Sequence, residues 1–267
     1  ETPTLVLLLG EGPLKLENLG PNVISRELLI APLQRADMEA LVRAILVRLE
    51  DAPAKLIAHI VNRSAGNPRL VEDNIRLLVQ KGVLEVTTAH WTLSSDALDD
   101  ALDLADNHEA ASTARVHYLS PDMRHVLSLA SVFGRTFWRQ GLLTLLRVHP
   151  GGAPQSESPW ISDPMDTWLS QLLEAAISDG IGRLHSASTL SSEHELSFSR
   201  PGDRETLYEA ITHSDRARHH RLAAQWLAAL DITHPAPWYS VIAEHWKQGE
   251  EALEAARWYQ RAGDEAR

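Results

Sequence analysis

Cysteine is absent from all 267 residues, so the chain has neither a disulfide framework nor a thiolate zinc site. That fits a reducing compartment and makes the cytoplasm the expected location. An excess of positive charge is missing as well. There are 36 acidic residues against 25 basic ones, a formal net charge of −11 and a pI near 5.6. Binding a polyanion by counterion release needs a basic face, so nucleic acid is disfavoured as a partner. Charge interrupts the longest apolar stretches every few residues, and none approaches the run of about 20 residues that a membrane-spanning helix requires. No membrane association is expected. A Gly-rich loop ending in Lys-Ser or Lys-Thr is also lacking. Such a loop surrounds phosphates with backbone N–H groups and a lysine while its hydroxyl holds Mg²⁺, so this chain alone is not expected to turn over ATP. Finally, the sequence opens at Glu1 with no initiator Met or signal segment and runs directly into Leu5–Leu9, as expected for a cut through a larger protein.

What is present reads as two or three small domains. Leu5–Leu9, closed by Gly10-Glu11-Gly12-Pro13, has the length of a buried strand. After Pro32-Leu33, Asp37 can cap a helix whose Met38, Leu41, Val42, Ile45, Leu46 and Leu49 share one face. A second helix is expected from about Pro53 to Arg63. In Ser64-Ala65-Gly66-Asn67-Pro68, Gly66 can close that helix, Asn67 can cap the next, and Pro68 can occupy its first turn. The following helix runs to Gly82. A hairpin, Val83–Thr87 with Trp91–Leu93, comes next, and then an acidic helical connector, Asp96–Asn107.

Ser120-Pro121 starts a further helix, a second spans about Phe137–Val148, and a Gly-, Pro- and Ser-rich loop covers 149–164. A third helix, about Met165–Ser178, precedes the alternating segments Ile181–His185 and His194–Phe198. Three helices followed by a hairpin is the order of a winged helix. From Asp203 onward the pattern is helical, in segments near Arg204–Thr212, Asp215–Leu230, Pro237–Gln248 and Glu250–Gly263. The last pair, with small residues at Ala252, Ala256, Ala262 and Gly263, resembles a tetratricopeptide unit. One repeat cannot bury its own faces, so the array is expected to continue past Arg267.

Several short motifs follow in order: Leu5–Pro13, Ala31-Pro32-Leu33, Gly66-Asn67-Pro68 with Glu72 one turn later, Leu129–Arg135 with Phe137, and Phe198, Arg204-Glu205 and Tyr208. Together they resemble the STAND class of P-loop signal-transduction ATPases, particularly large bacterial regulators that join such an ATPase to helical repeats. The resemblance implies a mainly α chain. Residues 1–34 would be the truncated end of an NTPase core, 35–110 a helical lid, 115–200 a winged helix with a β-hairpin wing, and 201–267 the start of a TPR-like array. It further implies a regulatory part of a nucleotide-dependent switch, whose parent binds ATP or ADP with Mg²⁺ and whose repeats bind a protein partner, with self-assembly of the parent left open. No nucleotide is expected to bind tightly to this chain alone. The implied nucleotide-binding residues are Gly66, Asn67 and Pro68, against the adenine, and Arg200, which stands where relatives carry a histidine. Gly12-Pro13 stands where they carry Arg-Pro.

Plainer readings stand beside these. The Gly66-Asn67-Pro68 corner also reads as an ordinary helix-to-helix turn, and Arg200 as a solvated residue at the end of the wing. A DNA-binding transcription regulator is the rival function for a winged helix. Its third helix, however, displays Asp166, Thr167, Ser170, Gln171, Glu174, Ser178 and Asp179 without a Lys or Arg, a surface that phosphate would repel. A protein-interaction scaffold with vestigial ATPase ancestry is a second rival. The cluster Arg216, Arg218, His219, His220 and Arg221 reads as a solvated or inter-helix face. Adjacent histidines on a helix point about 100° apart and cannot both ligate one metal. No catalytic or metal-binding residue is assigned.

Overall fold

The computed structural model describes residues 10, 26, 28–88, 90–94, 104–148, 164–190, 193–230 and 236–266. Contacts divide the chain into two units, 1–32 and 33–267, and all elements named below lie in the second. The expected strand at Leu5–Leu9, the 149–163 loop and most of the acidic connector lie outside the described residues. Among the described residues the chain is mainly helical, with eleven helices and two small antiparallel sheets. None of these helices is long and apolar enough to cross a membrane.

Helix α1 (Arg35–Ile45) starts slightly earlier than expected. Gln34 sits at its cap, and Asp37 lies in the first turn, where its charge complements the helix dipole. Helix α2 (Ala54–Ser64) ends in two left-handed residues, Ala65 at φ 46° and Gly66 at φ 81°. Gly66 tolerates that conformation without steric penalty; Ala65 is strained by its Cβ. Helix α3 (Pro68–Gln80) follows with Pro68 in its first turn. Strands β1 (Leu84–Val86) and β2 (Trp91–Leu93) pair antiparallel. One apolar cluster unites Met38 and Val42 of α1, Ile57 and Ile60 of α2, Val71, Ile75 and Leu78 of α3, and Leu84 of β1.

Helix α4 (His108–His117) has no counterpart in the sequence reading. Its buried positions are Ala111, Ser112, Arg115 and Val116, so a charge and a hydroxyl interrupt the apolar stripe that would have marked it. Asn107 caps it, accepting the Ala110 N–H at 2.8 Å. Next come α5 (Pro121–Phe133), β3 (Thr136–Trp138), α6 (Arg139–Val148), α7 (Pro164–Ser178), β4 (Gly182–Leu184) and β5 (Glu195–Phe198). The second sheet has the order β3-β5-β4. Strand β3 corrects the expectation of a helix from Phe137. Gly134, at φ 116°, terminates α5, and the β-formers Thr136, Phe137 and Trp138 then pair with Ser197, Leu196 and Glu195. Glu195 ties the preceding loop to this sheet, accepting from the Trp138 indole at 3.3 Å and from the Thr189 N–H and hydroxyl at 2.6 Å each.

The chain then runs through α8 (Pro201–Glu209), α9 (His213–Ala229), α10 (Ala236–Gln248) and α11 (Ala252–Glu265). The second large core does not stop at residue 200. Leu127 and Phe133 of α5, Leu142 of α6, Leu169 of α7 and Phe198 of β5 share it with Leu207, Ala223, Leu227 and Ile242 from α8 to α10. Helix α11 buries Ala255, and its Tyr259 hydroxyl donates to Glu244 of α10 at 2.6 Å.

Two glycines test this packing with opposite signs. A Cβ on Gly141 would lie 2.9 Å from ring atoms of both Phe133 and Trp226, whereas one on Gly263 would meet nothing within 4 Å. Gly141→Ala is expected to destabilise the fold by about 1–3 kcal/mol. Gly263→Ala, inside α11, should stabilise it by roughly 0.5 kcal/mol. Urea denaturation of both variants reads the two signs directly.

Candidate functional site

The 64–68 corner is tightly bonded. The Leu33 N–H donates to the Gly66 carbonyl at 2.9 Å, so Leu33 meets the corner through its backbone. Asn67 Oδ1 accepts the Arg69 N–H at 3.0 Å, which fixes its amide nitrogen as a donor. That nitrogen lies 2.9 Å from His108 Nε2 on α4, which therefore accepts. The other ring nitrogen of His108 faces Asp73 Oδ2 at 3.9 Å, an ion pair only for a protonated ring. Pro68 is exposed.

Asp73 belongs to a set of four buried charges between α3, α4 and the start of α8. Asp73 and Arg115 are each 1% exposed, Asp203 is 0% exposed and Arg200 is 7% exposed. Arg115 Nε donates to both oxygens of Asp203, at 3.1 and 3.3 Å. Arg115 Nη2 reaches Asp203 Oδ1 at 2.5 Å and Ser112 Oγ at 3.0 Å. On Asp73 the arrangement differs. Oδ1 lies 2.5 Å from Arg200 Nη2 and 3.2 Å from Arg115 Nη1, yet these approaches are misaligned and neither carboxylate oxygen accepts a hydrogen bond. Arg200 Nη1 also donates to the Gly180 carbonyl at 3.4 Å. Burial pushes the Arg200 guanidinium below its ordinary pKa, and Arg115 adds to that, while Asp73 and Asp203 oppose it. Two cations and two anions balance, which is the condition for keeping such a set away from water. The reading of Arg200 as a solvated wing residue is therefore corrected: its guanidinium is buried and paired.

The two places singled out by sequence are thus brought together through residues that sequence reasoning missed. Asn67 contacts His108, His108 faces Asp73, and Asp73 holds Arg200. Arg69 and Arg76 of α3 add bonds to the Ser199 and Asp179 carbonyls, each at 3.3 Å. One signal for Asp73 was available. It lies three residues after Leu70 and four before Leu77, so a helix from Pro68 places a carboxylate on its buried face, where it needs a cation. Nothing local marks Arg115 or Asp203 as its partners.

The basic cluster on α9 is an inter-helix face. His219 and His220 are buried, Arg216 donates to the Glu209 and Ile211 carbonyls, and Arg221 donates to the Gly249 carbonyl at 2.8 Å. His220 Nε2 lies 2.8 Å from the Tyr208 hydroxyl and its Nδ1 lies 2.9 Å from His245 Nδ1, a polar chain across α8, α9 and α10. Among the described residues no group of three His, Cys, Asp or Glu could hold a metal ion.

No protein-family model and no curated protein matches this chain.

Arg115→Leu leaves Asp73 and Asp203 buried short of a cation and is expected to lower stability by about 3–5 kcal/mol in urea titrations. The histidine pair predicts a pH dependence. Burial, reinforced by His245, Arg204, Arg216 and His219, pushes His220 from 6.5 down to about 3. Burial and Arg204, against Glu244, take His245 to about 4. Both are neutral when folded, so their contribution is complete above about pH 6.5 and is lost as pH falls through 4 and 3. Unfolding free energies measured from pH 7 to pH 4 should fall less steeply in His220→Phe with His245→Leu than in the natural chain.

Proposed function

We infer that this chain is the regulatory part of a nucleotide-dependent switch of the STAND class. Residues 35–110 act as the lid, 115–200 as a winged helix that holds it, and the helices after 201 as a TPR-like surface for a protein partner. The observation that carries this reading is the path Asn67–His108–Asp73–Arg200, which joins the corner implied to face an adenine with the residue implied to face phosphate. The order α5-β3-α6-α7-β4-β5 with sheet order β3-β5-β4 supports the winged-helix assignment. The lack of cysteine supports a cytoplasmic setting.

The residues present fit a nucleotide in one respect and constrain it in another. The exposed Pro68 ring offers an apolar surface for a base, while the Gly66 carbonyl and the Asn67 side chain are already bonded within the chain. Arg200 is matched to Asp73 and would serve a phosphate only after leaving it. A nucleotide would therefore act by its difference in affinity for two arrangements of these elements, which is all that any ligand can contribute to such an equilibrium. A P-loop and the Mg²⁺ it holds would come from outside the described residues.

The DNA-binding rival gains nothing from α7. Its exposed positions include Thr167, Gln171, Glu174 and Ser178, and Asp166 and Ser170 are engaged by Arg139. In a gel shift on random duplex at low salt no retention is expected; retention would favour that rival. The direct test is equilibrium binding of ATP and ADP by the full natural polypeptide. Pro68→Ala should weaken binding by about tenfold, close to 1.4 kcal/mol. Absence of binding in the natural protein would replace the switch with the scaffold reading.

A further inference from the structure

The hydrogens in the contact between Asn67 and His108 can be placed atom by atom. Asn67 caps α3, its Oδ1 accepting the Arg69 N–H at 3.0 Å, so its amide nitrogen donates to His108 Nε2 at 2.9 Å. His108 Nε2 is therefore bare, and the neutral ring carries its one hydrogen on Nδ1, the atom 3.9 Å from Asp73 Oδ2. A further proton has to go to Nε2, which Asn67 already occupies. An imidazolium N–H set there would meet the Asn67 amide nitrogen donor against donor. Turning the amide over gives no relief, because its nitrogen would then face the Arg69 N–H and α3 would lose its side-chain cap.

The ring is open to that proton. His108 is the first residue of α4 and its side chain is 52% exposed, whereas that of Asp73 is 1% exposed with neither oxygen in a hydrogen bond. A charged ring gains an ion pair by turning Nδ1–H onto Asp73. The positive end of α4 opposes the charge, as do Arg115 and Arg200 beside Asp73. Further charges on the elements around α4 are Arg69 of α3 and Asp203 of α8, with Glu109 next to His108 in the first turn and Arg63 of α2 on Asp106 at 3.5 Å. The backbone of the corner is bonded separately. The Asn67 N–H donates to the Ser64 carbonyl at 2.7 Å and the Leu33 N–H to the Gly66 carbonyl at 2.9 Å, so what the charge moves is the Asn67 side chain.

We propose that a proton and the Asn67 amide compete for His108 Nε2: the neutral ring holds Asn67 within the chain, and the charged ring gives it up and turns to Asp73. His108 is thereby a positioning residue for the 64–68 corner, with acidity as its input. The released amide nitrogen is a hydrogen-bond donor next to the exposed Pro68, suited to a bare ring nitrogen of a base. That use rests on the nucleotide reading, and it couples proton uptake to binding at the corner. The competition itself needs no ligand.

Nitrogen-15 spectra of the natural chain between about pH 8 and about pH 5 read the competition directly. At the upper end the His108 shifts should show a bare Nε2 and a hydrogen on Nδ1. On acidification the Asn67 side-chain amide signals should move with the same midpoint as His108. In His108→Gln, whose carbonyl accepts the amide at every pH, that step should vanish. In Asn67→Asp a carboxylate serves the Arg69 N–H and a charged ring together, so the His108 midpoint should rise by about one pH unit or more. The proposal is overturned by a bare Nδ1 at the upper end, by Asn67 signals that stay still while His108 titrates, or by the same step in His108→Gln. Should His108→Gln fail to fold, Asn67→Asp takes its place, and a midpoint that does not rise overturns the competition. These spectra contain no nucleotide, so their failure leaves ATP binding by the full polypeptide as a separate question, and absence of that binding leaves the competition standing.

Discussion

A charge removed from water needs an opposite charge or a full set of hydrogen bonds, and four buried charges in the described part of this chain answer one another. Asp73, Arg115, Arg200 and Asp203 come from α3, α4 and the β5–α8 junction, which lie far apart in sequence. Removing any one leaves a buried ion uncompensated, a larger loss than the net worth of the pairs themselves. This asymmetry makes the set a specifier of arrangement more than a source of stability. It sets α3 against the 200–203 segment.

Two apolar cores flank that set, and they differ in kind. The first is a three-helix packing closed by a small hairpin, and the second threads a three-stranded sheet and the helices from α5 to α10 through one cluster. Each is bonded internally through helices, caps and strand pairing. Where they meet, three small or medium apolar residues lie beside the charges. Such a boundary resembles the polar contacts between domains that move relative to one another more than it resembles the inside of either core. The proposed switch draws on this contrast between two apolar bodies and a charge-matched boundary.

The histidine chain shows the opposite use of buried polarity. Tyr208, His220 and His245 satisfy one another across three helices, with Arg204 and Arg216 stacked at 4.5 and 4.3 Å from the Tyr208 ring centroid. Neutral rings suit this place because two cations already stand nearby. Arg216, His220 and Arg221 of the α9 cluster that looked basic in sequence are thus bonded to groups of α8, α10 and their flanks.

Local chemistry made much of the fold legible. Asn67-Pro68 and Ser120-Pro121 announced helix starts because capping and proline geometry act within a few residues, and both hairpins showed through alternation. Strand β3 was hidden because Phe137 and Trp138 adjoin a helical stripe, and only their pairing with Leu196 and Glu195 decides for strand. Helix α4 was hidden because its inward face carries Ser112 and Arg115. At the candidate site, the corner at Gly66, Asn67 and Pro68 was readable as a bend, and Arg200 could be singled out by position. What held them together could not be read, since an aspartate on α3 meets its arginine more than a hundred residues away only in the folded chain. Most of the helices, the caps at Asn67 and Ser120 and the excess of acidic over basic residues were legible before folding, because those depend on the chain's composition and near neighbours. Tertiary structure alone decided which buried charges face each other, because electrostatic pairing acts through space and has no periodicity to betray it.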